Sequence, residues 1–184
     1  MSDDEHSIAT YVSDMLALER HVRIPFETQL KDDDFDAYAD AKALVSRLSA
    51  LADRHIAALD GLLKGLGGQE VSPIKSAVSQ FEGLVAGAID KVRKTKVTKA
   101  LRDDYTALAL CSASYTLLYT TAHALDHENV AAVARQHLDD YAACVMDIGK
   151  ALPAVVVQEL QSIGLPVRTS SADEALEATL AAWH

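Results

Sequence analysis

Asp104-Tyr-Thr-Ala-Leu-Ala-Leu-Cys-Ser-Ala-Ser-Tyr-Thr-Leu-Leu-Tyr-Thr-Thr-Ala-His-Ala-Leu-Asp126 is the stretch that decides how this chain reads. Between the two aspartates lie twenty-one residues without one acidic side chain. Apolar residues recur there at helical spacing, the pattern of a helix that lines a four-helix bundle. Its inward polar residues are Ser112, Tyr115 and Tyr119. Such a helix offers hydroxyls to the interior and no carboxylate, which limits the chemistry the interior can hold.

Helices extend on both sides of it. Downstream, Asp126-His-Glu-Asn129 reads as a turn into a partner helix over 130–150, and a short connection of this kind implies antiparallel neighbours. Upstream, the basic run Lys91-Val-Arg-Lys-Thr-Lys-Val-Thr-Lys99 reads as a solvated connector. Before it, Ser72-Pro73 supplies an N-cap and a first-turn proline for a helix over 74–93, weakened by Gly83 and Gly87. The first helix is expected over 7–30, with Pro25 bending its last turns. Asp32-Asp33-Asp34 suits the positive end of a second helix, which Gly65, Gly67 and Gly68 stop. Past 150, Pro153 opens a short helix to Ile163, and Ser171 caps a terminal helix carrying Leu176, Leu180 and Trp183.

Composition agrees with this helical reading. The chain has 184 residues, 49% of them hydrophobic, with only 8 Gly and 4 Pro, so it reads as one all-α domain over 1–184. The bundle core is expected at about 7–150, with a helical extension over 153–184. A net charge of −10 opposes nucleic acid and anionic lipid as partners. No apolar run reaches membrane-spanning length. Cys111 and Cys144 both sit in apolar helical stretches, which suits buried thiols in a reducing cytoplasm.

Polar interruptions of the apolar stripes mark the candidate site. Glu19 falls among Ile8, Val12, Met15, Val22 and Phe26, and His55 falls among Leu48, Ala52, Leu59 and Leu62. The stripe 130, 134, 137, 141, 144 brings in His137 and Tyr141, with Asp140 one position to the side. A buried carboxylate must be paired, protonated or metal-bound. For Glu19 the simpler reading is neutralisation by an arginine or by hydrogen bonds from Tyr115, Tyr119 or Tyr141, and for each histidine alone it is a hydrogen-bonded core side chain. His21, His123 and His127 read as surface residues.

Three local stretches resemble one family. Val12-Ser-Asp-Met-Leu-Ala-Leu-Glu-Arg-His-Val22, Phe81-Glu-Gly-Leu84 and Leu101-Arg-Asp-Asp104 resemble the first helix, the inserted helix and the next helix of the YciE/YciF-type ferritin-like proteins, bacterial domains linked to stress responses. The resemblance covers about residues 8–150. It implies a ferritin-like antiparallel four-helix bundle with an inserted helix between its halves and extra C-terminal helices. It also implies a di-metal site, of which little is left here. Glu19 matches the first-helix ligand. Ala52-Asp-Arg-His55 keeps the histidine of the family's Glu-x-x-His and loses its glutamate, and the adjacent Asp53 points elsewhere. The next helix puts Ser112 and Tyr115, or in the other register Leu108 and Cys111, where the family has glutamates. Asp139-Asp140 stands for a longer acidic pair.

A di-iron centre needs about six protein ligands with bridging carboxylates, so ferroxidase chemistry is not expected. The expected function is a non-enzymatic ferritin-like bundle with a degenerate metal site, active in association or stress protection as a homodimer, with no cofactor. The alternative is a mononuclear metal-binding or small-ligand-binding bundle, in which Glu19, His55 and either His137 or Asp140 hold one zinc or iron. A third alternative lodges haem or another flat cofactor between His55 and His137.

Overall fold

In the computed structural model the chain is described over residues 3–67 and 96–183, and among these residues it is helical with no strand. The helices are α1 (Asp3–Gln29), α2 (Ala39–Gly65), α3 (Lys96–Ala124), α4 (Glu128–Ser162) and α5 (Ser171–Ala182). No helix among the described residues is long and apolar enough to cross a membrane. The expected helix over 74–93, with its Phe81-Glu-Gly-Leu84, lies outside the described residues.

Side-chain pairs fix the directions of the helices. Gln29 late in α1 meets Asp104 early in α3, while Glu19 meets Tyr115 nearer the middle, so α1 and α3 run oppositely. His55 meets Asp140 and Arg47 meets Asp147, so α2 and α4 run oppositely as well. Each helix packs along two neighbours: α1 against α2 and α3, and α4 against α3 and α2. Leu48, Leu59, Leu101, Leu108, Leu118 and Phe26 fill the interior between them. Fully burying each such side chain contributes about 1.5–3 kcal/mol, which holds the polar groups of the interior in place.

Helix α3 spends five of its seven Ser and Thr hydroxyls on its own backbone. Thr106, Ser112, Ser114, Thr116 and Thr120 each donate to the carbonyl four residues earlier, at 2.8–3.1 Å. These five hydroxyls therefore add little free polarity to the helix, whereas the buried Thr98 hydroxyl in its first turn has no partner among the described residues.

Several boundaries differ from the sequence expectation. Asp32-Asp33-Asp34 does not open α2; Asp32 caps a 3-10 turn, Asp33–Ala37, by accepting from the Asp34 amide at 3.0 Å. Buried Phe35 anchors that turn, and the competing local bond of Asp32 delays α2 until Ala39. Lys96 to Lys99 of the basic run form the first turn of α3 and are not connector. Pro153 does not open a new helix but lies inside α4, which carries the bundle core past 150. The proline costs α4 its bond to the Gly149 carbonyl. That loss is outweighed beyond it, where Val155 and Glu159 are buried in the core. At the terminal helix Ser171 is the first helical residue and not the cap, and α5 packs on α4 with Trp183 58% exposed at its end.

Glu159 does more than fill space. Its carboxylate accepts from the backbone amides of Val97 at 2.8 Å and Thr98 at 3.0 Å, so α4 supplies the cap for the start of α3. Glu159→Ala is expected to lower stability by about 1–2 kcal/mol. Hydrogen exchange checks the cause: the amides of Val97 and Thr98 should lose protection first, and unchanged protection there would refute the cap.

Candidate functional site

Four helices each place one or more polar side chains at the same level of the interior. Glu19 from α1 is fully buried, His55 from α2 and His137 from α4 are nearly so, and Tyr115 from α3 and Tyr141 from α4 are fully buried. The helical stripes that carry them are otherwise mostly apolar, so packing of the apolar residues aims the polar ones inward.

Glu19 is the centre of the network. Tyr115 donates its O–H to Oε1 and Tyr141 donates its O–H to Oε2, both in short hydrogen bonds. His55 Nδ1 lies 3.0 Å from Oε1. Burial and the Glu19 charge push both phenols well above their ordinary pKa, so each keeps its proton and remains a donor. Three donors thus meet one buried carboxylate, the arrangement that a desolvated charge requires.

The histidines differ in their partners. Nδ1 of His137 lies 2.9 Å from the Tyr115 hydroxyl, whose single proton is given to Glu19, so His137 donates from Nδ1 and keeps its lone pair on Nε2. Burial, reinforced by the neighbouring His55, lowers the His137 pKa to about 3, which keeps the ring neutral. His55 faces a carboxylate at each nitrogen, Glu19 at Nδ1 and Asp140 Oδ2 at Nε2, 3.2 Å away. The two imidazoles stack at a centroid distance of 3.7 Å and 13° between planes, and one neutral ring removes charge repulsion from that stack. Tyr141 closes the other side, edge-on to His55 at 4.7 Å.

Glu19, His55, His137, Tyr115, Tyr141 and Asp140 therefore form one connected group, with Asp140 at its half-buried rim. Ligand atoms of Glu19, His55 and His137 lie within 4.8 Å of one another. Ser112 and Tyr119 do not join the group. The Ser112 hydroxyl turns back to the Leu108 carbonyl at 2.9 Å, and Tyr119 is half-buried at the α3 edge, stacked on exposed His123 at 5.9 Å. Asp53 is exposed and pairs with Arg23 at 3.1 Å, as its phase implied.

Two further buried groups lie on α3: Cys111, which the sequence reads as a buried thiol, and Asp104, which went unread. Cys111, one turn before Tyr115, is fully buried, and burial together with Glu19 holds its thiol protonated. Both cysteines are free, and Cys144 is half-buried. Asp104, a further two turns earlier, is 2% exposed and accepts from Gln29 Nε2 at 2.9 Å, while its second oxygen has no partner among the described residues. Burial raises the Asp104 pKa to about 7. The series Leu101, Asp104, Leu108, Cys111, Tyr115 is the inward stripe of α3, and that spacing was the available signal.

Neither a protein-family model nor a curated protein matches this chain. Among solved structures, the crystal structure of a protein from Xanthomonas campestris pv. campestris is similar, with a TM-score of 0.72 over 89% of this chain and 100% of its own length. The two sequences are 18% identical, so the likeness concerns the fold alone.

Proposed function

We propose that this chain is a divergent ferritin-like bundle of the YciE/YciF type in which a hydrogen-bonded core stands in place of a di-metal centre, and that it acts by association and not by catalysis. One observation carries the reading: both oxygens of Glu19 are occupied by protein donors, two phenols and an imidazole. A carboxylate so satisfied has no need of a cation. The inward position of Tyr115 favours the register in which buried Leu108 and Cys111 stand where the family has glutamates. Neither bridges metal ions as a carboxylate does, and protonated Cys111 adds no charge to balance them. In this reading the buried network fixes the relative phase of four helices, a specificity device, and the outer faces do the work.

A second reading rests on a separate observation, the convergence of Glu19, His55 and His137 within 4.8 Å. Neutral His137 carries one lone pair and can ligate without first losing a charge. One zinc or iron held by these three leaves Asp140 to orient His55 from its far nitrogen, the usual partner of a ligating imidazole. Such an ion replaces the bonds of Tyr115 and Tyr141 to Glu19.

Elemental analysis of untagged protein, before and after anaerobic loading with ferrous iron and zinc, separates the two. The first reading expects less than one-tenth of an ion per chain, an estimate set by the absence of an open ligand set. One ion per chain, lost in Glu19→Ala and His55→Ala, establishes the second. Two ions per chain would sink both.

A further inference from the structure

We infer that the outer face of α3 is the contact surface for a second copy of this chain, packed antiparallel about a two-fold axis beside Ala113. This inference deepens the association reading and rests on it. Thr106, Leu110, Ala113, Leu117 and Thr120 are all exposed and follow one another at intervals of four, three, four and three residues. That is the spacing of a helix–helix seam, presented here to solvent. Leu117 is 65% exposed and Leu110 38%, although a solvated helix face ordinarily carries charge. The face has none, because 105–125 contains no Asp, Glu, Lys or Arg.

The order of the residues identifies the occupant. Thr-Leu-Ala-Leu-Thr reads the same in both directions, and a two-fold axis requires a surface that is its own complement when reversed. An axis beside Ala113 sets Leu110 against Leu117 of the second copy and Thr106 against Thr120 of the second copy. Alanine at the axis lets the two backbones approach, and the leucines on either side fill the space this leaves. The threonines do not oppose burial. Thr106 donates to the Arg102 carbonyl at 3.1 Å and Thr120 to the Thr116 carbonyl at 2.8 Å, so their hydroxyls are already satisfied.

Charge gives the same answer at the ends of the seam. Lys99, Arg102 and Asp103 leave the start of α3 with a net positive charge, whereas Asp126 and Glu128 make its far end acidic. Antiparallel packing brings each basic end to the acidic end of the second copy. Arg102 now pairs with Asp103 at 2.6 Å and Glu128 faces His123 at 3.5 Å, exposed pairs that hold little against a new partner. Elsewhere two chains of net charge −10 repel, and the uncharged stripe is where they approach without that penalty.

Sedimentation velocity of the full chain at about 50 μM, a concentration well above the Kd of a specific dimer, tests the surface. Wild type is expected as a dimer and Leu117→Glu as a monomer, with unchanged helical circular dichroism. In a separate variant, Ala113→Cys is expected to form a disulfide-linked dimer under mild oxidation, because the axis sets residue 113 against itself, and Ala142→Cys on the exposed face of α4 is not. A dimer that survives Leu117→Glu and leaves Ala113→Cys unlinked overturns the surface and keeps the association reading. A wild-type monomer overturns the surface, and the same result with one bound ion per chain takes the association reading with it. A monomer whose melting temperature drops on Leu117→Glu means that the chain itself covers the stripe, which also overturns the proposal.

Discussion

Glu19→Ala is expected to destabilise the protein by about 5 kcal/mol, from three buried donors left without an acceptor at about 1–3 kcal/mol each. The donors are the hydroxyls of Tyr115 and Tyr141 and Nδ1 of His55, and each loses the acceptor it now has; Nδ1 of His137, 2.9 Å from the Tyr115 hydroxyl, accepts in its place only after that ring exchanges its tautomer. Water cannot readily rescue them, because Glu19, Tyr115 and Tyr141 are 0% exposed. Glu19→Gln is expected to cost far less, about 1–2 kcal/mol, since it keeps the volume and one acceptor while turning an amide N–H toward a donor. Urea unfolding followed by circular dichroism measures both. The order Ala much worse than Gln distinguishes lost hydrogen bonding from lost charge alone. A cost below about 1 kcal/mol for Glu19→Ala would show that the network contributes nothing to holding the helices in phase.

The same variant tests whether the group acts as one unit. His55→Ala removes the ring between Glu19 and Asp140, and its cost added to that of Glu19→Ala should exceed the cost of the double variant. Side chains in one network are coupled by about 0.5–3 kcal/mol, whereas independent sites add.

The inward residues of α1, α2 and α4 were legible because each sits in a stripe with a polar opposite face. Glu19, His55, His137 and Tyr141 are buried at the positions their periodicity assigns, and they meet. Helix α3 was not legible in the same way. Uncharged residues surround it on all sides, so the pattern admits both Tyr115 and Tyr119 as inward, and four residues of separation turn Tyr119 by about 40° toward the α4 edge. That turn is enough to put its ring on His123 and not in the interior. The same lack of polar contrast that blurs the phase of α3 is what leaves Leu110 and Leu117 on its outside.

Other features were hidden by rules of punctuation. Asp104 falls within the run Leu101-Arg-Asp-Asp104 that resembles a helix entry, yet it stands on the stripe with Leu101 and Leu108, and Pro153 reads as a helix start although the stripe continues through Val155 and Glu159. In both cases the long-range partner decides the outcome: Gln29 for Asp104, and the start of α3 for Glu159. Such partners lie 62 and 75 residues away in sequence, beyond the reach of any local pattern.

Stability is expected to fall as pH rises from about 4 to about 7 through Asp104 and then to level off, with a total loss of order 4 kcal/mol. Burial is the main cause of the shift, since the carboxyl lies in an apolar interior; the Asp103 charge adds to it and the bond from Gln29 opposes it. The folded pKa is about 7 against an ordinary value of 3.8, so between those values the folded chain binds a proton that the unfolded chain has released. Unfolding then releases the proton, and raising the pH favours it. Below the ordinary value both states are protonated, and above 7 neither is, so the slope is confined to the interval between them. The ionised form has one neutral donor, Gln29 Nε2, and a second oxygen with no partner among the described residues, which is why the charge is costly there. Asp104→Asn removes the titrating group while keeping its shape and an acceptor for Gln29. The variant is expected to lose this component of the pH dependence and to be more stable than wild type above pH 7. Urea midpoints of both proteins across pH 5–8 decide the matter, and parallel curves for wild type and Asp104→Asn would show that Asp104 ionises in the folded chain as it does in the unfolded one.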